Sequence, residues 1–227
     1  MSTKELRKIA SDLPNSVTDE MAIPSYTHRN PLIRWLMWKR LAVVQALCEG
    51  LHVEVALDYG TGTGVMLPFL SKIANHVVAF DKVIIPAARL IEHHELRNVE
   101  LKEVDTLPIL LPDESVDLIL CLDALEHIKP LQEVTKELTR VLKPGGRLVM
   151  SGPSENAIHK LGRLLAGFRK RATYHRWNVD DVNKALRAYL ALRHRKTLLG
   201  PVRLFEISVF EKPSGNGSSS ARDLRNL

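Results

Sequence analysis

Short apolar runs alternate with amphipathic segments through the middle of this chain. The run from Val53 to Asp58 predicts a buried strand, and a glycine-rich turn follows it. "HVVAFD" and "VELKEVD" predict two further strands, each preceded by a segment with helical spacing of apolar residues. "VDLILCLDALEHI" predicts a fourth strand, and "KPGGRLVMSGPS" a turn and a fifth. Strands separated by helices indicate an α/β fold with a parallel sheet and helices on both faces.

The end of the chain has a different pattern. "RKTLL" and "VRLFEISVF" are separated only by Gly200 and Pro201, and this arrangement is typical of a hairpin. A hairpin of antiparallel strands cannot continue a purely parallel sheet. We therefore expect a mostly parallel sheet that is closed at one edge by an antiparallel pair.

Two segments lie outside the predicted sheet. Residues 1–52 form an expected N-terminal helical cap, in which Asn30 and Pro31 are a typical N-cap and first-turn pair for a long helix. Residues 154–178 form an insertion at the ligand-binding end of the sheet, with apolar residues on one helical face and Lys and Arg elsewhere. We expect residues 1–212 to form one domain.

Composition limits the class of protein. The 227 residues carry a net charge of +6, and the basic residues concentrate between His159 and Arg203, which favours an anionic partner. The chain contains no apolar run long enough to span a membrane and no apolar core typical of a signal peptide, so we expect a cytoplasmic location. Its two cysteines, Cys48 and Cys121, lie in apolar surroundings typical of core residues. The Gly/Ser-rich tail, residues 213–227, is expected to be disordered.

The glycine turn after the first strand indicates a nucleotide-type ligand, because bare backbone allows close approach. A dinucleotide fingerprint counted from Gly60 and Gly62 requires glycine at position 65, where Val65 stands, and the Gly-Lys-Ser/Thr of a P-loop is absent. Asp58 before the first glycine repels phosphate and suits an ammonium group. Asp81, at the end of the second strand, is placed to accept hydrogen bonds from ribose hydroxyls.

These features together carry a family resemblance. "LDYGTGTG", "VVAFD", "EVDTLPI", "VDLILCLDALEHI" and "LKPGGRLVMSGPS" resemble, in order, the motifs of class I S-adenosylmethionine-dependent methyltransferases, over about residues 53 to 152. Within that family they are similar to ubiquinone-biosynthesis O-methyltransferases and related small-molecule enzymes. The resemblance implies a Rossmann-like, seven-stranded sheet with an antiparallel last strand, and S-adenosyl-L-methionine as the cofactor.

The resemblance also assigns cofactor contacts to positions of this chain. It places the methionyl part of the cofactor against the turn, the ribose at the second strand, the adenine after the third strand and the sulfonium after the fourth. In that order, the residues are Asp58, Gly60, Thr61, Gly62 and Gly64; Asp81 and Lys82; Asp105 and Thr106; and Leu122 and Asp123. The acidic residues have a plainer interpretation, because Asp58 and Asp81 can cap strand ends and Asp105 can be an ordinary turn residue.

His127 is the candidate catalytic residue. A neutral imidazole after the fourth strand can take a proton from a hydroxyl or an amine, although it can equally bond only to a neighbouring loop. A carboxylate-x-x-Glu-His pattern is formed by Asp123, Glu126 and His127, with aspartate in place of glutamate at its first position. The resemblance to ubiquinone O-methyltransferases would make this pattern a magnesium site. Histidine is an untypical ligand for that ion, so we predict no metal.

The acceptor is less well defined. Two interpretations of the basic insertion stay open. Its apolar face and flanking basic residues are typical of a helix that lies on an anionic membrane surface, where Trp35, Trp38 and Arg34 would also lie. The same pattern is typical of a lid that packs over the pocket. The fourth strand is not followed by the Asn/Asp-Pro-Pro-aromatic loop that the resemblance would require for methylation of exocyclic amino groups of bases. This absence disfavours nucleobase methylation. Six residues are further pocket candidates: Tyr26, His28, Arg29, His159, Tyr174 and His175.

We therefore predict a methyltransferase acting on a small-molecule, lipidic or anionic acceptor, in the cytoplasm or peripherally at a membrane. Two alternatives stay open. The first is an RNA or protein methyltransferase that uses the basic surface to bind its substrate. Nucleic acid is a less favoured partner than a small molecule or a lipid. The second is a non-catalytic protein that binds the cofactor. The sequence predicts no oligomeric state.

Overall fold

The structure is a computed structural model that describes residues 2–14, 17–18, 23–154, 176–198 and 204–214. Most of the predicted basic insertion and tail, and with them His159, Tyr174 and His175, lie outside the described residues.

Seven strands form one sheet, in the order β3-β2-β1-β4-β5-β7-β6. Strand β7 is antiparallel to both of its neighbours, and the other six strands share one direction. This confirms the predicted α/β, Rossmann-like sheet and its antiparallel edge pair. The strands are β1 (Val53–Tyr59), β2 (Ala74–Asp81), β3 (Val99–Glu103), β4 (Val116–Leu122), β5 (Leu142–Pro153), β6 (Ala191–Leu198) and β7 (Phe205–Glu211).

Helices precede and connect these strands. The predicted start of the long cap helix is confirmed, because the Asn30 side chain accepts a hydrogen bond from the Leu32 N–H at 2.9 Å and Pro31 occupies the first turn. The helices are α1 (Thr3–Ile9), α2 (Ile23–Tyr26), α3 (Pro31–Leu47), α4 (Leu67–Ile73), α5 (Ile85–His93), α6 (Leu131–Val141) and α7 (Val179–Arg187), with a 3₁₀ helix at Leu125–His127.

Successive residues of the central strands face opposite sides of the sheet. On β1, Ala56 belongs to the apolar cluster beneath α3, α4 and α5, and Leu57 to the cluster beneath α6 and α7. Both residues are fully buried, as expected for a parallel strand with helices on both faces. Cys48 and Cys121 lie in the two clusters as predicted, and burial raises the pKa of the Cys48 thiol to about 12.

The N-terminal cap, which includes α3, packs on the face of the sheet that also carries α4 and α5. The Trp38 indole N–H donates to the Thr3 hydroxyl at 3.1 Å, and its ring lies 5.4 Å from that of Tyr26. Arg34 donates to the His28 carbonyl at 2.7 Å. Trp38 and Arg34 are half-buried and hold the cap together, whereas Trp35 is exposed; contact of these residues with a membrane surface stays a prediction. Among the described residues, no helix is long and apolar enough to cross a membrane.

The strand order fixes where a ligand can bind. The chain leaves β1 toward β2 on one side and later adds β4 on the other, so the carboxyl end of β1 lies at the point where the order reverses. Asp58 pairs in register with Ala79 on β2 and with Leu120 on β4. A crevice outside the carboxyl ends of such strands is the usual ligand site of this architecture.

Candidate active site

Asp58, near the carboxyl end of β1, is a buried carboxylate. Its side chain is 3% exposed, and the Thr61 hydroxyl donates to its Oδ2 at 2.6 Å. Burial raises the pKa of Asp58 to about 7, although the Thr61 bond acts in the opposite direction; the charge of Asp81 adds to the increase. A carboxylate is costly to bury unless a cation compensates it. Asp58 is therefore suited to a ligand with a positive group.

The glycine turn is held by the end of β2. The N–H groups of Gly60 and Thr61 both donate to the Phe80 carbonyl, each at 2.9 Å. Gly60 has φ +77°, and a Cβ built there would lie 2.5 Å from the Cβ of Ala124, which follows β4. The backbone conformation and the contact with Ala124 both exclude a side chain at this position. Gly62 and Gly64 share the positive φ.

Asp81 completes the turn from the second strand. It accepts the Gly62 N–H at 2.7 Å and the Val83 N–H at 3.1 Å. Burial raises the pKa of Asp81, although these backbone bonds act in the opposite direction. The two predicted carboxylates are thus brought to one turn, as the sequence predicted. Lys82, next to Asp81, is exposed.

The loop after β3 is tied to β1. The Tyr59 hydroxyl donates to the Thr106 carbonyl at 2.8 Å, and burial raises the pKa of Tyr59. Asp105 is exposed and Thr106 is half-buried. The structure therefore places the predicted adenine-binding segment beside the glycine turn. Whether these two residues contact the adenine stays a prediction.

Asp123 follows β4 with φ +53°, a left-handed conformation that is uncommon for aspartate. Its N–H donates to the Ser151 carbonyl at 2.9 Å, and the Ser151 hydroxyl donates to its Oδ1 at 3.0 Å. Its Oδ2 forms an ion pair with Arg40 of α3. Leu122, before it, is half-buried. The cap helix thus contributes a cation at the edge where the sequence predicted the sulfonium side of the cofactor.

Arg40 is the residue that the sequence analysis missed. It is 2% exposed, its Nη2 donates to the Tyr26 hydroxyl at 2.7 Å, and its guanidinium lies 5.2 Å from the centre of the Phe205 ring. Its Nε is buried and has no hydrogen-bond partner among the described residues. The available signal was the position of Arg40 on the helical face that also carries the buried Met37 and Val44.

The two other pocket candidates that can be located lie in the same cap. His28 accepts the Asn30 N–H at 3.0 Å through its Nδ1, and Arg29 is exposed. The structure gives neither of them a contact with the glycine turn. Of the predicted pocket residues that the structure describes, only Tyr26 is joined to the site, through Arg40.

The 3₁₀ helix after β4 holds the predicted catalytic residue. Glu126 is buried, and its carbonyl accepts the N–H groups of Arg176 and Trp177 at 2.8 and 3.3 Å. His127 is exposed at the end of the helix, and its role as a base stays a prediction. The guanidinium of Arg40 already compensates Asp123, so the first carboxylate of the possible magnesium pattern has a cationic partner within the protein.

Comparison with known proteins places this site in a family. Residues 57–150 match a family model described as a methyltransferase domain. The chain is 33% identical over 128 residues to an uncharacterized methyltransferase-like protein of Schizosaccharomyces pombe, covering 53% of this chain and 48% of that protein. It is 30% identical over 133 residues to a malonyl-[acyl-carrier protein] O-methyltransferase of Marinomonas sp., covering 57% and 49%.

Residues 57–150 match the methyltransferase domain family, and these similarities support the predicted class I S-adenosylmethionine-dependent methyltransferase. The fold agrees: the N-methyltransferase NodS from Bradyrhizobium japonicum, solved with S-adenosyl-L-homocysteine, superposes with a TM-score of 0.64 at 16% identity, covering 94% of this chain and 100% of NodS. The chain spans about half the length of the two curated relatives named above. S-adenosylmethionine is the cofactor of this domain class, as predicted, and the buried Asp58 fits its ammonium group.

The close contact at Gly60 predicts a site-specific loss of stability. We expect Gly60→Ala to lower the free energy of unfolding by about 1–2 kcal/mol from the left-handed backbone, plus about 1–3 kcal/mol from overpacking against Ala124. Gly50→Ala is the matched control, because Gly50 has φ +76° and a Cβ added there would meet nothing within 4 Å. Urea denaturation measures both; equal losses would contradict the packing role of Gly60.

The raised pKa of Asp58 predicts pH-dependent cofactor binding in the methyltransferase domain. Below pH 7 the carboxyl group is mostly protonated and no longer attracts an ammonium group. From pH 7.5 to 6.0 the ionised fraction of a group of pKa 7 falls about eight-fold, and the affinity for S-adenosylhomocysteine should fall by about that factor. Calorimetric titration measures this, with Asp58→Asn as the comparison variant. A wild-type profile as flat as that of Asp58→Asn would refute the assignment.

Proposed function

We propose that this protein transfers the methyl group of S-adenosylmethionine to a small-molecule acceptor that carries an anionic group. The observation that carries the anionic part is Arg40, a buried guanidinium at the same sheet edge as the glycine turn. Supporting the methyl transfer are the family match and the two carboxylates of the turn.

On the cofactor side, the protein mainly has to hold and orient. Bound S-adenosylmethionine supplies an electrophilic methyl group on a positively charged sulfur. Asp58 binds the ammonium group through its carboxylate, and Asp81 accepts hydrogen bonds from the ribose hydroxyls. The turn stays fixed because two of its N–H groups share the Phe80 carbonyl. Such fixed geometry favours an in-line displacement, which gains mostly from alignment and exclusion of water.

On the acceptor side, Arg40 lies where three strands meet the cap. Asp123 follows β4, Ser151 belongs to β5, and Phe205 begins β7 and pairs in register with Pro153. A guanidinium presents several N–H donors in a planar fork that matches carboxylate and phosphate oxygens. The buried Nε of Arg40 is a donor that such an oxygen can use.

The ion pair itself supports a functional role for Arg40. Burying a guanidinium, even beside a partly exposed carboxylate, is rarely favourable compared with apolar packing. Arg40 also helps to hold Asp123 in a left-handed conformation that costs free energy. Recognition of an acceptor is a physical reason to retain such an arrangement. His127, on the exposed turn after Asp123, is our candidate for taking the acceptor's proton.

Acceptor class is tested by following the methyl group. The full-length protein is incubated with methyl-labelled S-adenosylmethionine and a cell extract, and the label is separated into lipid, nucleic acid, protein and small-molecule fractions. We expect label in small molecules or lipids whose unmethylated form is retained on an anion exchanger. Label confined to RNA or protein would overturn the proposal, as would cofactor binding without any transfer.

The role of Arg40 predicts a selective kinetic effect. With the retained acceptor fraction as substrate, we expect Arg40→Lys to raise the apparent KM for the acceptor at least ten-fold, because an ammonium loses the fork geometry. Affinity for S-adenosylhomocysteine should stay within about two-fold. Arg193→Lys, an exposed arginine paired with Glu211, is the control. An unchanged KM in a folded Arg40→Lys protein would remove the anionic group from the proposal.

A further inference from the structure

A second cluster of ligand-type side chains lies away from the methyltransferase site. Helix α5 starts after the carboxyl end of β2 and ends before β3. Its last turn therefore lies near the amino ends of the strands, whereas Asp58 lies near their carboxyl ends. His93 ends this helix and His94 caps it, and Glu5 in the first turn of α1 faces them. We propose that Glu5, His93 and His94 form a binding site for a transition-metal ion such as Zn²⁺.

The geometry brings three donors together. One ligand atom from each of Glu5, His93 and His94 lies within 4.8 Å of the other two. The two imidazole rings meet edge to face with centroids 5.1 Å apart. Tetrahedral zinc, with bonds of about 2.0–2.2 Å, requires donors about 3.3–3.6 Å apart. Small rotations of Glu5 and of the exposed His93 close that difference, and a fourth position stays open to water.

An unpartnered atom independently indicates a ligand. The Nε2 of His94 is buried and makes no hydrogen bond with the described residues, and the Glu5 carboxylate is 4.0 Å from it. That distance is too long for a hydrogen bond, and an unsatisfied buried polar atom is costly. The Ser2 N–H donates to the Oε2 of Glu5 at 2.6 Å, which leaves the Oε1 of Glu5 facing His94.

The donor set selects the class of ion. Two imidazole nitrogens and one carboxylate oxygen suit Zn²⁺ and its neighbours in the first transition series, whereas Mg²⁺ and Ca²⁺ take oxygen ligands. An ion held by all three residues joins α1 to α5, which Arg89 already links by donating to the Ile9 carbonyl at 3.1 Å. Metal binding therefore stabilises the attachment of the cap, by preferential binding to the folded state.

The direct test measures metal binding without any assay of methyl transfer. Tag-free, full-length protein treated with a chelator is titrated with ZnCl₂ and, separately, with MgCl₂. We expect one equivalent of Zn²⁺ to bind with a Kd near the micromolar range, no Mg²⁺ to bind, and the melting temperature to rise by about 5 °C at 100-fold the Kd. Because cofactor and acceptor are absent, failure here leaves the proposed methyltransferase function untouched.

Variants separate this site from adventitious binding. Glu5→Gln removes the ligand charge but keeps a residue that can cap α1, so the helix should persist. We expect Glu5→Gln and His93→Gln each to weaken Zn²⁺ binding at least ten-fold and to abolish the rise in melting temperature. His76→Gln is the matched control, because His76 forms an exposed two-residue pair with Glu100 at 3.3 Å. Equal Zn²⁺ binding by all three variants, or none by the wild type, would refute the site.

Discussion

The buried carboxylate at the end of β1 is the constraint on which the rest of the site depends. An ionised Asp58 is costly to keep away from water unless hydrogen bonds hold it and a cation compensates its charge. The Thr61 hydroxyl donates one such bond, and the two N–H groups bound to the Phe80 carbonyl hold the turn that follows. The same bonds fix the end of β1 against the end of β2, so the spacing of Asp58 and Asp81 is set by the sheet. The predicted cofactor contacts and the fold therefore depend on the same hydrogen bonds.

The sequence predicted those parts of the molecule that depend on local pattern. Strand periodicity, the glycine turn and the Asn30 cap each involve neighbouring residues, and the structure confirms them. Arg40 could not be assigned, because its partners Asp123 and Phe205 are distant in sequence and meet it only after the sheet has formed. The contacts of Trp38 could not be predicted for the same reason, since its indole N–H bonds to Thr3, far earlier in the chain.

The cap is part of the site because of one side chain. Arg40 extends from a helix that is otherwise packed through apolar residues and contacts the segment after β4 and the start of β7. A loop with a left-handed aspartate would otherwise depend on Ser151 alone among these contacts. Under the proposed function, the cap shapes the acceptor side of the crevice, whereas the strands β1 and β2 shape the cofactor side. Changes in the cap should affect the two ligands differently for this reason.

Asp58 and Asp123 both lie near the carboxyl ends of the strands, but their charges are compensated in different ways. This difference distinguishes the part of the site proposed for the cofactor from the part proposed for the acceptor. Asp58 has a hydroxyl partner but no arginine or lysine partner among the described residues, which leaves its charge to a ligand ammonium. Asp123 is already neutralised by Arg40. Under the proposed function, a sulfonium and a guanidinium would approach the same place and repel each other. Asp123 carries one negative charge and balances only the guanidinium, so an anionic acceptor would supply the second negative charge that lets a positive methyl donor bind beside Arg40.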